Sequence, residues 1–302
     1  MLEVLTHSFA VLIGFLGGTG GAIARTILSR LVARLLILMS NSRWRTTLDN
    51  IRRAYPEATD EWVETIARQS YRNFATCYVE LFSTAFMTPG ERTSMFALEE
   101  DNDIVANREQ GKGAIVLSAH IGNWELAVPA TAELADIHAM SIAKRQRNRR
   151  MNELINRCRT SDRVRVVPMD EAARDIVRTL NSAGFVCMML DQAADPRKDV
   201  FVDFFGRPAV TFEAPATLAL RFRADIIVAF AIRSADGKYA IMTRRVSTDG
   251  IDDTEHGRRE LVQRCTNVIE DVIRQYPGQW SWQHKRWKYD PSDFQKGHRH
   301  DS

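Results

Sequence analysis

The sequence predicts an α/β fold: a mixed, mostly parallel sheet flanked by helices, preceded by an N-terminal helical segment associated with a membrane. Three observations carry this. After Gly111, short apolar runs alternate with amphipathic stretches, as strands alternate with crossover helices. Residues 4–24 lack formal charge when His7 is neutral, and an arginine-striped apolar stretch follows them. The 302 residues are 45% hydrophobic and 26% charged, with a mean hydropathy of −0.27. That composition excludes a polytopic membrane protein, a disordered chain and a low-complexity chain. A balance of 41 Lys+Arg against 38 Asp+Glu is too even to argue for nucleic acid.

Taken in order, residues 1–40 read as a membrane-anchoring or interfacial segment, 41–290 as the main domain and 291–302 as a solvated tail. A helix needs roughly 20 apolar residues to span a bilayer, so Val4–Ala24 is borderline. It lacks the basic start of a secretory signal, since Glu3 is its only early side-chain charge. Gly14/Gly18 and Gly17/Gly21 form overlapping GxxxG patterns, which allow close helix packing in lipid. Ile23 stands where a GxGxxG loop needs its third glycine, which removes a nucleotide-loop reading. Over Arg25–Met39, Arg25, Ser29, Arg30 and Arg34 share one helical stripe, and leucine, isoleucine and valine cover the rest. That suits a helix lying in a membrane interface; the alternative is a core helix with a narrow polar face.

Residues 41–87 read as helices. One ends at Tyr55-Pro56, the next starts at Thr59-Asp60-Glu61, and Pro89-Gly90 closes the region. Strands are expected at Ala114–Ala119, His138–Ile142, Val164–Val167, Phe185–Leu190 and Ile226–Ile232. Helices are expected near Asn123–Ala135, Arg149–Arg159, Glu171–Asn181, Phe212–Phe222 and Glu255–Tyr276. Asp236-Gly237 marks a hairpin turn. Cys77, Cys158, Cys187 and Cys265 form no CxxC pair and read as small buried hydrophobes.

In open α/β sheets, chemistry gathers at the carboxyl ends of strands. The strand Ala114–Ala119 ends at such a place, followed by His120-Ile121-Gly122 and by Asn123-Trp124-Glu125 opening a helix. Across a strand–turn–helix bend, His120 and Glu125 can converge, and a carboxylate on one imidazole nitrogen raises the basicity of the other. From spacing alone, a satisfied histidine beside a capping glutamate is the favoured reading.

Strand–His120-xxxx-Glu125 resembles the HxxxxD/E motif of the glycerolipid and lysophospholipid acyltransferase superfamily. Asn50-Ile51…Tyr55-Pro56-Glu57, Ser118–Glu125, Asp191-Gln192, Val200–Gly206 and Gln279–Lys288 stand in the order seen in the late acyltransferases of lipid A biosynthesis. Together they resemble the lauroyl- and myristoyltransferases of Gram-negative bacteria over nearly the whole chain. The resemblance implies a glycerolipid-acyltransferase-like sheet at the cytoplasmic face of a bacterial inner membrane. It implies acyl transfer from acyl carrier protein or acyl-CoA, as co-substrate, to a hydroxyl of a lipid A precursor or related glycolipid, with no cofactor and no metal. His120 would take the hydroxyl proton and Glu125 would orient His120. Oxyanion donors would be backbone N–H groups near the Asn123 helix start or a nearby arginine.

Arg145 follows the second strand, where the family places an arginine linked to the acceptor; a solvated basic run is the equal alternative. Asp191 and, less strongly, Gln192 match family positions for substrate binding, and Asn123 is a further candidate. Arg207 reads as a phosphate contact or a turn decoration, and Asp203 has no assigned role. The arginines at 145, 147, 149, 150, 157, 159, 163 and 165 form a basic stretch suited to an acidic carrier protein or anionic headgroups; it lacks the aromatics of a single-strand nucleic-acid site. Trp280, Trp282 and Trp287, with neighbouring cations, suit an interfacial belt or, for at least one of them, the core. His284 reads as structural, and His298 and His300 as solvated. A serine hydrolase is disfavoured, because no GxSxG occurs. A non-catalytic lipid-binding protein is the remaining alternative, and the intact His120/Glu125 pair argues against it.

Overall fold

The computed structural model describes residues 2–295. Residues 296–302, with His298 and His300, lie outside the described residues. Helices α1 (Leu2–Thr19), α2 (Gly21–Met39), α3 (Asn41–Ala54), α4 (Asp60–Ser83) and α5 (Pro89–Thr93) come first. The sheet region then runs β1 (Phe96–Leu98), α6 (Asp103–Glu109), β2 (Ala114–Ser118), α7 (Trp124–Leu134), β3 (Ala139–Ala143), α8 (Arg149–Arg159), β4 (Val164–Pro168), α9 (Ala173–Asn181) and β5 (Phe185–Met189). After it come β6 (Val200–Phe204), β7 (Arg207–Thr211), α10 (Ala214–Phe222), β8 (Asp225–Arg233), β9 (Tyr239–Val246), α11 (Glu255–Gln275) and α12 (Ser292–Gln295).

Seven strands form one sheet in the order β1-β9-β8-β2-β5-β3-β4, antiparallel only between β8 and β9. The mixed, mostly parallel sheet expected from the alternation is present. β2 lies at its centre and is apolar up to its last residue, Ser118, because helices cover both faces. Ile115 and Leu117 face one core with Phe230, Trp280 and Trp282, while Ala114 and Val116 face the other with Phe185 and Ile227. Each expected strand lies within a residue or two of its observed bounds, and α8 begins and ends where the periodicity places it.

β1, the short helix α6 and the β6–β7 hairpin are absent from the sequence reading. β1 has three residues, too few to show a period. The β6–β7 hairpin turns on Phe205 (φ 55°) and Gly206 (φ 68°). That is the double positive-φ turn which right-twisted strands favour, but a phenylalanine in its first position hides the signal.

The N-terminal glycines serve a packing role within the protein. A Cβ at Gly14 would lie 2.5 Å from the Phe82 carbonyl oxygen, and one at Gly17 would lie 2.3 Å from Ser83 Oγ. These glycines therefore let α1 seat directly on α4. Ser29 and Ala33 of α2 are buried, the latter against Tyr71 and Ala75 of α4. The arginine stripe is split accordingly. Arg25 is half-buried and donates to the Gly17 carbonyl at 3.2 Å, while Arg30 and Arg34 stay exposed. The outer faces of α1 and α2 leave Phe9, Leu12, Phe15, Ile27, Leu31 and Leu35 exposed. Among the described residues, no helix is long and apolar enough to cross a membrane.

Candidate active site

β2 ends at Ser118, and the four residues before Asn123 turn the chain into α7. That turn is held from below by the C-terminal segment. The His120 carbonyl accepts from Ser281 N–H at 2.8 Å, and the Gln279 carbonyl accepts from Gly122 N–H at 3.1 Å. Gly122 sits at φ +60°, and a Cβ there would meet the Ala231 carbonyl oxygen at 1.8 Å. Gly122→Ala combines left-handed strain with a backbone collision. It should destabilise the protein by at least about 2 kcal/mol in urea unfolding.

The His120 imidazole is about a fifth exposed (22%), and its Nδ1 lies 2.8 Å from Oδ1 of Asp191. The other Asp191 oxygen accepts from the His120 backbone N–H and from Trp280 Nε1, each at 2.8 Å. Gln192 places its side-chain nitrogen 3.2 Å from His120 Nε2. An Nδ1–H donated to the carboxylate and an Nε2 that accepts from Gln192 define one tautomer, with the basic lone pair on Nε2. Burial pushes the imidazolium down, but the Asp191 charge, its hydrogen bond and the more distant Glu125 outweigh that, so the His120 pKa is raised above 6.5. Burial would raise Asp191, but the His120 charge and the bonds from His120 and Trp280 hold it down at about 2.

Glu125 is occupied elsewhere. Its buried carboxylate takes a two-pronged ion pair from Arg159, at 2.6 and 2.8 Å, and a bond from Trp124 Nε1 at 3.2 Å. The acid hydrogen-bonded to the imidazole is therefore Asp191, 71 residues downstream, and Glu125 reaches His120 through its field alone. Arg159 was one arginine among eight in the sequence, with nothing local to separate it from its neighbours. The fold turns it inward because α8 crosses beside α7.

Other expected positions fall differently. Asn123 is fully buried. It caps α7 through Leu126 N–H and donates to Glu80 at 2.8 Å, so its side-chain amide is engaged within the protein. Glu80 is itself buried, held by Arg233 at 2.6 Å and Tyr239 at 2.7 Å. Asp191 is also buried, and its two oxygens accept from His120 and Trp280. Gln192 stays at the imidazole. Arg145 is exposed and paired with Asp170 (3.2 Å) and Glu171 past the end of β4. Its strand β3 is two places from β2, about 10 Å away at ordinary strand spacing, so the structure does not bring Arg145 to His120. Arg207 donates to the Arg53 carbonyl at 3.0 Å, a turn contact. Trp280 and Trp282 are buried at the centre of a core, not arrayed at a surface. The N–H groups of Ile121, Gly122 and Asn123 are all bonded to carbonyls and are not free for an oxyanion. Among the described residues, no group of three or more His, Cys, Asp or Glu is placed to hold a metal ion.

Beside the imidazole, Trp124 lies 5.5 Å away, with Phe74 and Tyr78 of α4 beyond it at 5.9 and 6.4 Å from the Trp124 ring. Phe74 and Tyr78 are only partly buried, so a histidine with a basic Nε2 opens beside an aromatic wall.

The chain matches the family model of the bacterial lipid A biosynthesis acyltransferases over residues 4–289. It belongs to that family. No curated protein matches it. The chain is thus an acyltransferase, which moves an acyl group from a donor to a lipid acceptor. The family's place in lipid A biosynthesis makes it a bacterial enzyme associated with membrane lipid.

Proposed function

We propose that this acyltransferase transfers a fatty acyl chain from a thioester, on acyl carrier protein or coenzyme A, to a hydroxyl of a lipid A precursor or related glycolipid. The observation that carries this reading is the His120–Asp191 pair at the carboxyl end of the central strand, with Nε2 as the basic nitrogen. The acceptor hydroxyl takes the place of the Gln192 amide at Nε2 and gives up its proton as its oxygen attacks the thioester carbonyl. An ester C–O bond forms, the C–S bond breaks, and the departing sulfur receives the proton from the imidazolium. Asp191 keeps the tautomer and steadies that imidazolium. Phe74, Tyr78 and Trp124 offer apolar surface to the acyl chain. Glu125, with Arg159, adds a fixed dipolar pair behind the histidine.

The test is transfer of a labelled acyl group from thioester to lipid A precursor by the purified protein, analysed by mass spectrometry. Product in the wild type and a rate at least about a hundredfold lower with His120→Ala support the reading. Full activity in that variant removes His120 as the base. Since the neutral imidazole is the active form and its pKa is raised above 6.5, kcat/KM should fall as pH drops through a value above 6.5, giving a single-proton acid limb. An acid limb centred below 6.5 contradicts that reading.

The exposed apolar faces of α1 and α2 support attachment to a membrane surface with the helices lying in the interface; for an enzyme of lipid A biosynthesis we place that surface at the cytoplasmic side of the inner membrane. Because both helices pack on α4, deletion of residues 1–39 would uncover buried surface, and point substitutions are the cleaner test. Leu12→Ser with Leu31→Ser should move the protein from vesicle-bound to free in flotation assays with unchanged circular dichroism. Unchanged flotation would sink the attachment.

A further inference from the structure

We propose that the C-terminal segment 280–286 is a clamp that positions the base-supporting tripeptide Asp191-Gln192-Ala193, with Arg286 and His284 as positioning residues. The inference rests on the His120–Asp191 reading. Three residues of the segment each hold one residue of the tripeptide. Trp280 Nε1 donates to Asp191 at 2.8 Å. His284 Nε2 accepts from the Ala193 N–H at 3.1 Å. Arg286 reaches the Gln192 carbonyl, a long contact at 3.5 Å, and donates to the Val210 carbonyl and Thr211 Oγ1 of β7, each at 2.5 Å. Ala194 N–H also bonds Val210, at 3.4 Å, so the guanidinium sits at the joint between tripeptide and hairpin. The middle of the segment is anchored in turn, since Asn50 donates to the Trp282 and His284 carbonyls at 2.8 and 2.6 Å.

Arg286 is an expensive group to use for structure alone. It is 1% exposed, and among the described residues it has no carboxylate within ion-pair distance. Its Nε is buried without a hydrogen-bond partner, and its guanidinium carbon lies 5.1 Å from the centre of the Phe204 ring. A buried cation without an ion-pair partner is costly. The acid whose field reaches it is Asp191. Arg286 therefore does two things: it fixes the backbone that carries Gln192, and it sets a positive charge behind the carboxylate that holds His120. The charged and titratable groups around this unit are Asp191, Glu125 and Arg159 at His120, and His284 and Lys288 along the clamp.

The sign follows. Removing the cation leaves the carboxylate's attraction for the imidazolium less opposed, so the His120 pKa rises. Arg286→Met should move the acid limb of kcat/KM up by about half a unit to one unit. Through a displaced Gln192, kcat should fall about 10²-fold, with KM for the thioester within about twofold. Arg286→Lys keeps the charge, so its acid limb should stay at the wild-type pH while kcat falls. His284→Gln, which keeps an acceptor for Ala193 N–H, should retain more kcat than His284→Leu, and this pair carries the test if Arg286→Met does not fold. If activity per folded molecule and the acid limb are wild-type in Arg286→Met, or if the two His284 variants are equal in kcat, the clamp is wrong. If His120→Ala is fully active, the base assignment is what has failed. An inactive His120→Ala beside a wild-type profile in Arg286→Met removes the clamp alone.

Discussion

His120→Ala should lower kcat/KM by about 10²–10⁴-fold, the range a positioned general base contributes, and should also cost about 1–3 kcal/mol in urea unfolding because the buried Asp191 carboxylate loses its imidazole partner, so the rate is read per folded molecule. Asp191→Asn tests the other half of the pair. The amide loses the charge that steadies the imidazolium and competes for the wrong tautomer, a change worth up to about 10⁴-fold in a comparable acid–histidine pair. It should also lower the His120 pKa, because the raising contributions come first from Asp191. The residual activity of Asp191→Asn should therefore persist to lower pH than that of the wild type. The measurements are the pH–rate profile and the ring-proton titration of His120 by NMR. A residual activity with an unshifted acid limb would mean that Asp191 does not govern the base.

Breaking the Glu125–Arg159 pair should give the largest stability effect. Both partners are withdrawn from water, with side-chain exposures of 1% and 19%. Removing one partner of a buried pair strands the other's charge, typically at about 3–5 kcal/mol. Arg159→Met should therefore destabilise the fold by about that much in urea unfolding. Arg159→Met with Glu125→Gln should recover most of it, because no lone charge is left buried. Activity separates structure from chemistry. If Glu125 contributes only by holding α7 to α8, the double variant regains activity with stability. If its field assists the imidazolium, activity stays low in a protein that folds normally. A single Arg159→Met variant as stable as the wild type would show that the pair is not buried in solution.

Much of the fold was legible because it is local. β2 and β8 are sandwiched between two helical layers, so their interiors, Ala114–Leu117 and Ile226–Ile232, are apolar throughout and no other element explains them. Thr59, Asn123 and Asn148 announce helix starts because their side chains cap the backbone a few residues on. The interfacial reading of Trp280 and Trp282 failed for a definite reason. A tryptophan beside cations has the same composition at a surface and in a core, and only the docking of α3, α4 and the β6–β7 hairpin onto that segment decides which.

The site was half legible. His120 at a strand end, with a turn and helix after it, is a local pattern, and so is the glutamate five residues on. The acid that bonds the imidazole is not local. It sits at the end of β5, which pairs with β2 in register from Ala114↔Phe185 to Ser118↔Met189, so the chains emerge side by side. Sheet order, not sequence separation, brings Asp191 to His120, and helix packing, not spacing, hands Glu125 to Arg159.

By itself, the amino-acid order determined the alternation of strand and helix, the place of the imidazole and the family to which the chain belongs. These depend on periodicity and on residues within a turn or two of one another. The folded arrangement alone decided which carboxylate supports the base, which one is neutralised, and which glycines seat α1 on α4. Those outcomes depend on distances between segments far apart in the chain, and the free energy of burying a charge is set by every group that surrounds it.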